Sequence, residues 1–193
     1  MSTVQNRGTG AGGANTNVNG KAFEEKTNNE ARLLQAGFVK KRIPGKKGKN
    51  AYYLEKVDDG KTIIYMSQAG LDNYFMHFHK KEVFRNPDEA YLITKNGVST
   101  LKILEKKNQT TSGSVEDKLR LGSYFKNVEY PGMIGEGFRV EYAFCLSNFL
   151  KESYIADTVK SKILREDNIK NSIPVFFGED ADYFTKLDDW LTQ

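Results

Sequence analysis

The chain has 193 residues, 38% hydrophobic and 12% aromatic, which suits one domain of ordinary size with a real core. Lys and Arg number 29 against 25 Asp and Glu, a net charge of +4 with a pI near 8.9, compatible with a polyanionic partner. A single cysteine, Cys145, excludes an internal disulfide framework, and no apolar run approaches the roughly 20 residues of a membrane span. The N-terminus carries no apolar signal core, so a soluble, cytoplasmic protein with no membrane partner is expected.

Residues 1–19 are polar and rich in Gly, Asn and Thr, which predicts a flexible segment ahead of one domain over 20–193. Gly8-x-Gly10-x-x-Gly13 lies there, but a dinucleotide fingerprint requires a strand before it, and none precedes it. Lys21–Ala36 reads as one helix, with Phe23, Ala31, Leu33 and Leu34 on an apolar side. Glu24 and Glu25 lie in its first turn, and Gly37 is its stop. Short strands are expected at Phe38–Ile43 and Ala51–Leu54 around a basic loop, and at Lys61–Met66 after the turn Asp58-Asp59-Gly60. Leu71–His79 reads as a short helix or irregular strand, and the aromatics between Leu71 and Phe84 read as core.

Ala90–Thr94 and Val98–Lys107 form a hairpin around Asn96-Gly97, a strong tight-turn signal. A helix follows over Ser112/Ser114–Lys126, with Ser114 and Asp117 spaced like a capping box. Phe138–Phe144 is a strand, Phe149–Arg165 a helix, Ile173–Phe177 a strand and Asp180–Leu191 a helix. The expected class is α+β, a central mixed sheet flanked by helices.

The hairpin carries the chemistry. Asp88 follows Pro87 just ahead of its first strand, and Glu105-x-Lys107 follows after sixteen residues on its second. Side chains alternate along a strand, so Leu101, Ile103, Glu105, Lys107 and Gln109 share one face, while Lys102, Lys106 and Asn108 point the other way. An apolar face that runs into charge is costly unless the charge is used or paired. Two carboxylates hold a hard cation through oxygen, and a lysine meets charge on a phosphate. On spacing alone, a turn and a solvated strand end fit these residues as well.

Pro87-Asp88…Glu105-x-Lys107 resembles the signature of the PD-(D/E)XK nuclease superfamily. In that family the aspartate starts one strand and the (D/E)xK lies on its antiparallel neighbour. Gln109 matches a polar position often found there, and Gly113–Leu119 is similar to a segment of some type II restriction endonucleases. Glu24, directly after Phe23, resembles the acid of the family's first helix; Glu25 lies about 100° away on a helix. The resemblance covers roughly residues 20–125. It implies a restriction-endonuclease-like fold and Mg²⁺-dependent hydrolysis of double-stranded DNA. Asp88, Glu105, Glu24 and the Lys106 carbonyl are the implied metal ligands. Lys107 is the implied catalytic lysine, with Gln109 as a positioning residue. It also implies a homodimer, since a twofold complex matches a palindromic site. A structure-directed repair nuclease and a non-catalytic nucleic-acid-binding module are the two alternatives.

Lys40, Lys41, Arg42, Lys46, Lys47 and Lys49 form a basic run, read either as a DNA-contacting arm or as a solvated loop. His77 and His79 with a distant Cys145 are too few for zinc. No nucleophile elbow or phosphate-binding Gly-Lys-Ser/Thr loop is present.

Overall fold

The computed structural model describes residues 22–109 and 118–193. Residues 1–21, with the glycine run, lie outside the described residues, as does the Ser114–Asp117 capping box. The architecture is α+β. Seven strands form one mixed sheet in sequence order: β1 Val39–Arg42, β2 Tyr52–Asp58, β3 Lys61–Ser67, β4 Glu89–Lys95, β5 Val98–Lys107, β6 Phe138–Leu146 and β7 Val175–Phe177. β1 to β5 pair antiparallel, whereas β6 lies parallel to β5 and β7 parallel to β6.

Helices cover both faces of the sheet. They are α1 (22–26), α2 Glu30–Gln35, α3 Gly70–His79, a composite α4, α5 Asn148–Ile155, α6 Val159–Lys170 and α7 Tyr183–Thr192. α4 runs from Gly122–Tyr124 through a π-helical Phe125–Glu129 into Tyr130–Ile134. On one face, Ile64, Met66, Ala90, Leu92, Leu101 and Ile103 pack with Leu71 and Phe75 of α3, Tyr130 and Ile134 of α4, Leu150 of α5 and Leu164 of α6. On the other, Leu54, Tyr65, Tyr91, Ile93, Leu104 and Cys145 pack with Phe23, Leu33, Tyr183, Leu187 and Trp190. The two core sets alternate along each central strand, as the pleat requires.

Three helices differ from the sequence reading. The single helix expected over Lys21–Ala36 is two, because the side chains of Thr27 and Asn28 bond to backbone locally. Thr27 donates to the Phe23 carbonyl at 2.7 Å, and Asn28 Oδ1 accepts from the Glu30 N–H at 2.8 Å. The expected Phe149–Arg165 helix also divides, at Ala156 to Thr158, where Thr158 is the N-cap of α6 and accepts from the Ser161 N–H at 3.2 Å. The helix expected to end at Lys126 continues to Ile134. Leu71–His79 lies within helix α3, which closes on a left-handed Lys80 with φ 58°.

The hairpin forms with Lys95 opposite Val98 and with φ of 52° and 78° at Asn96 and Gly97, the left-handed pair of a tight turn. Its register decides the site. Glu89 pairs with Leu104, so Asp88, one residue ahead of β4, comes opposite Glu105. Among the described residues no helix is long and apolar enough to cross a membrane.

Candidate active site

Asp88 ends an irregular approach to β4 and is only partly exposed. Its Oδ2 accepts the backbone N–H of Lys106 at 2.7 Å, which ties the carboxylate to the facing strand. Burial, then the negative charge of Glu105, pushes its pKa up to about 6, against the pull of the Lys106 N–H and of Lys107. A buried carboxylate whose proton affinity is raised further by a neighbouring carboxylate is an arrangement a hard cation relieves. Glu105 and Lys107 share the face of Ile103, and Lys107 Nζ donates to Glu105 Oε1 at 2.5 Å. Two fully buried phenols on this side, Tyr130 and Tyr142, are pushed well above the usual tyrosine range by burial and then by the Glu105 charge.

Lys106, between Glu105 and Lys107, turns to the opposite face. Its ammonium donates to Glu89 Oε1 at 2.8 Å and to the Thr27 carbonyl at 2.9 Å. Glu89 is 2% exposed and Lys106 9%. The Glu89 carboxylate also accepts from the Asn29 N–H at 3.1 Å and the Tyr91 hydroxyl at 2.5 Å. Asn29 Nδ2 donates to Tyr91 at 2.9 Å, and its Oδ1 accepts from Arg32, whose guanidinium makes a two-pronged contact with Asp188 of α7. A chain of satisfied polar groups thus runs from the strand end through the α1–α2 turn to the last helix. Alternation alone placed Lys106 on a second face; its burial was missed, because the partners lie 17 and 79 residues away in sequence. Lys102, expected on the same side, is likewise buried, bound to the Trp190 carbonyl at 2.6 Å and to Glu141 at 2.8 Å.

A cavity of about 170 Å³ opens beside Asp88, lined by Glu24, Asn28, Glu30, Ser67 and Gln68, with Glu89 and Lys106 at its wall. Of the two adjacent glutamates in α1, Glu24 lines this cavity. The structure therefore brings Asp88, Glu105 and Lys107 together and sets Glu24 on the far side of Asp88. Among the described residues no three of His, Cys, Asp and Glu stand together as a ready-made metal cage. Mg²⁺ fits such a site, since it is held through one or two carboxylates and keeps several waters.

Gln109 departs from the expected common face. β5 ends at Lys107, so the alternation stops before Gln109. Its backbone N–H contacts Ser147 Oγ at 3.4 Å, and it lines a separate cavity with Lys26, Ser147 and Glu179. The basic run lies on β1 and the loop after it. Lys41 is paired with Glu55, and Lys40 bonds Glu30 at 3.1 Å with its ammonium 3.6 Å over the Tyr52 ring. Lys40, Arg42 and Lys49 line a cleft of about 470 Å³ with Tyr52, while Lys46 and Lys47 occupy the loop. Glu30 links this cleft to the Asp88 cavity, because it bonds both Lys40 and the Tyr52 hydroxyl. A larger cavity, about 630 Å³, lies away from these carboxylates, walled by Phe176, Trp190 and Ile173. No family model, curated protein or solved structure matches the chain.

The buried pair sets one expectation. Lys106→Met leaves Glu89 buried without its cation and lowers the unfolding free energy by about 3–5 kcal/mol. Adding Glu89→Gln recovers part of that loss, as urea unfolding of the single and double variants will read; additive losses would show that the two side chains do not act as a pair. Asp88 sets a second. Its folded pKa near 6 lies above the ordinary 3.8, so the folded chain holds a proton that the unfolded chain has released. Without divalent cation, stability therefore falls as pH rises from about 4 to about 6, by at most about 3 kcal/mol. Asp88→Asn removes this slope in unfolding curves recorded in EDTA; an unchanged slope contradicts the assignment.

Proposed function

We propose that the protein is a Mg²⁺-dependent endonuclease of the PD-(D/E)XK type, with a restriction-endonuclease-like fold, that hydrolyses phosphodiester bonds of double-stranded DNA. One observation carries the reading: Asp88 and Glu105 face each other across the β4–β5 pair, with Lys107 2.5 Å from Glu105 on the same side. Asp88 and Glu105 hold the cation in this reading, with the Lys106 carbonyl as a third oxygen and Glu24 approaching from α1. When bound, Mg²⁺ supplies a polarised water and neutralises phosphate charge. Lys107 donates to one Glu105 oxygen and leaves the other for a ligand. Its ammonium is placed to orient a water and to meet charge developing on the phosphate. The Lys106 N–H fixes the Asp88 carboxylate, so the acid does not reorganise when substrate arrives.

The basic cleft of Lys40, Arg42 and Lys49 continues past Glu30 from the Asp88 cavity, a path on which phosphates meet cations. Gln109 acts at most from a neighbouring cavity in this arrangement. A homodimer follows from the palindromic symmetry of sites read by small restriction enzymes.

Supercoiled plasmid incubated with the protein is cleaved with Mg²⁺ and not with EDTA, and discrete fragments mark sequence-specific cutting where a smear marks structure-directed cutting. Lys107→Ala lowers the cleavage rate by about 10²- to 10⁴-fold, while gel-shift binding of the same DNA persists. Full activity in that variant excludes the proposed chemistry.

A further inference from the structure

The segment between α3 and β4 presents an aromatic side chain to solvent four residues ahead of Asp88. Val83 is 1% exposed, and its N–H donates to Asp72 at 3.1 Å. Arg85 is clamped to α4: it pairs with Glu129, and its guanidinium lies 4.2 Å over the Phe125 ring. Pro87 is buried, and its carbonyl accepts from the Gln68 N–H at 3.0 Å. With 83, 85 and 87 anchored, Phe84 and Asn86 point outward, and Phe84 is 70% exposed. The reading of this aromatic run as core fails at Phe84 for that reason: three neighbours fix the backbone and leave no inward path.

The exposed ring has company. Leu121, just ahead of α4, and Tyr124 and Val128, on the stretch of α4 that holds Arg85, are 46%, 47% and 55% exposed. Lys80 and Lys81, in the same segment as Phe84, and Lys118 and Arg120, just ahead of Leu121, are exposed as well. Exposed aromatic and apolar side chains, with exposed cations beside them along the chain, on the segment that leads to Asp88, are complementary to a polyanion that also offers flat bases. A protein or lipid partner would use the apolar surface but gives no reason for its place beside Asp88.

We infer that Phe84 is a nucleic-acid contact, stacking on an unstacked base of the strand whose phosphate lies at Asp88 and Glu105, with Arg85 as the positioning residue that holds it outward. The inference rests on the nuclease reading for its substrate class. Arg85 acts through Phe125 and Glu129 and stays in its ion pair. Contact of this kind favours DNA that is unpaired or easily opened at the cut position, because unstacking a paired base costs free energy.

Phe84→Trp provides a direct probe, since the chain's one tryptophan, Trp190, is 6% exposed and lies on the opposite face of the sheet. With Ca²⁺ in place of Mg²⁺, a 20-nucleotide DNA duplex carrying one unpaired base is expected to quench the emission of the introduced indole more than the fully paired duplex. Phe84→Ala is expected to weaken binding of the unpaired-base duplex by on the order of tenfold, the size of one lost stack, with Phe84→Trp restoring it. DNA binding by the Phe84→Trp variant with no quench overturns the inference. So does a Phe84→Ala variant that binds as the parent does, or one whose defect is a changed sedimentation mass with DNA affinity intact. Absence of plasmid cleavage by the parent protein rejects the nuclease reading, whereas quenching in the Phe84→Trp variant still decides whether this surface meets DNA.

Discussion

One buried ion pair governs the geometry of the site. Lys106 and Glu89 sit 2.8 Å apart with almost no access to water. Each would be costly alone, so the fold must keep them together. They come from adjacent strands, and the bond between them fixes the end of the β4–β5 pair. The same ammonium holds the Thr27 carbonyl, and the same carboxylate holds the Asn29 N–H. That brings the α1–α2 turn onto the strand end and sets Glu24 beside Asp88. The neighbours in sequence, Asp88, Glu105 and Lys107, are consequently placed by two side chains, those of Lys106 and Glu89, that take no part in the proposed chemistry.

The two faces of this strand end do opposite work. On the covered face Glu89 and Lys106 are satisfied, in a network that runs through Asn29, Tyr91 and Arg32 to Asp188. On the other face charge is left in tension. Burial, and then the charge of Glu105, disfavours the ionisation of Asp88. Lys107 and the Lys106 N–H offset part of it. In the proposed reading, this satisfied scaffold holds the two acids in place for a cation.

The hairpin was legible because its signals are local. Asn96-Gly97 specifies the turn, the turn specifies the register, and the register sets position 88 against position 105. The faces of Leu101, Ile103, Glu105 and Lys107 followed from alternation. What escaped was set by distant partners. Lys102 and Lys106 are strand lysines, which ordinarily point to water, and only α7 and the α1–α2 turn make them buried. The break at Thr27–Asn29 was hidden by a continuous apolar pattern, although its cause, the side chains of Thr27 and Asn28 bonding local backbone, is written in the chain. Gln109 was misplaced because alternation was carried two residues past the end of the strand. Phe84 was misread because aromatic content was taken for burial where Arg85 and Pro87 pin the backbone.

Joint binding of one divalent cation by Asp88 and Glu105 is the step on which the proposed chemistry turns. Binding of Mn²⁺, followed by its electron paramagnetic resonance signal in the parent protein and in Asp88→Asn and Glu105→Gln, tests it directly. The expected result is a bound ion in the parent and affinity lowered at least about tenfold by either substitution alone. Equal Mn²⁺ affinity in all three proteins would contradict it.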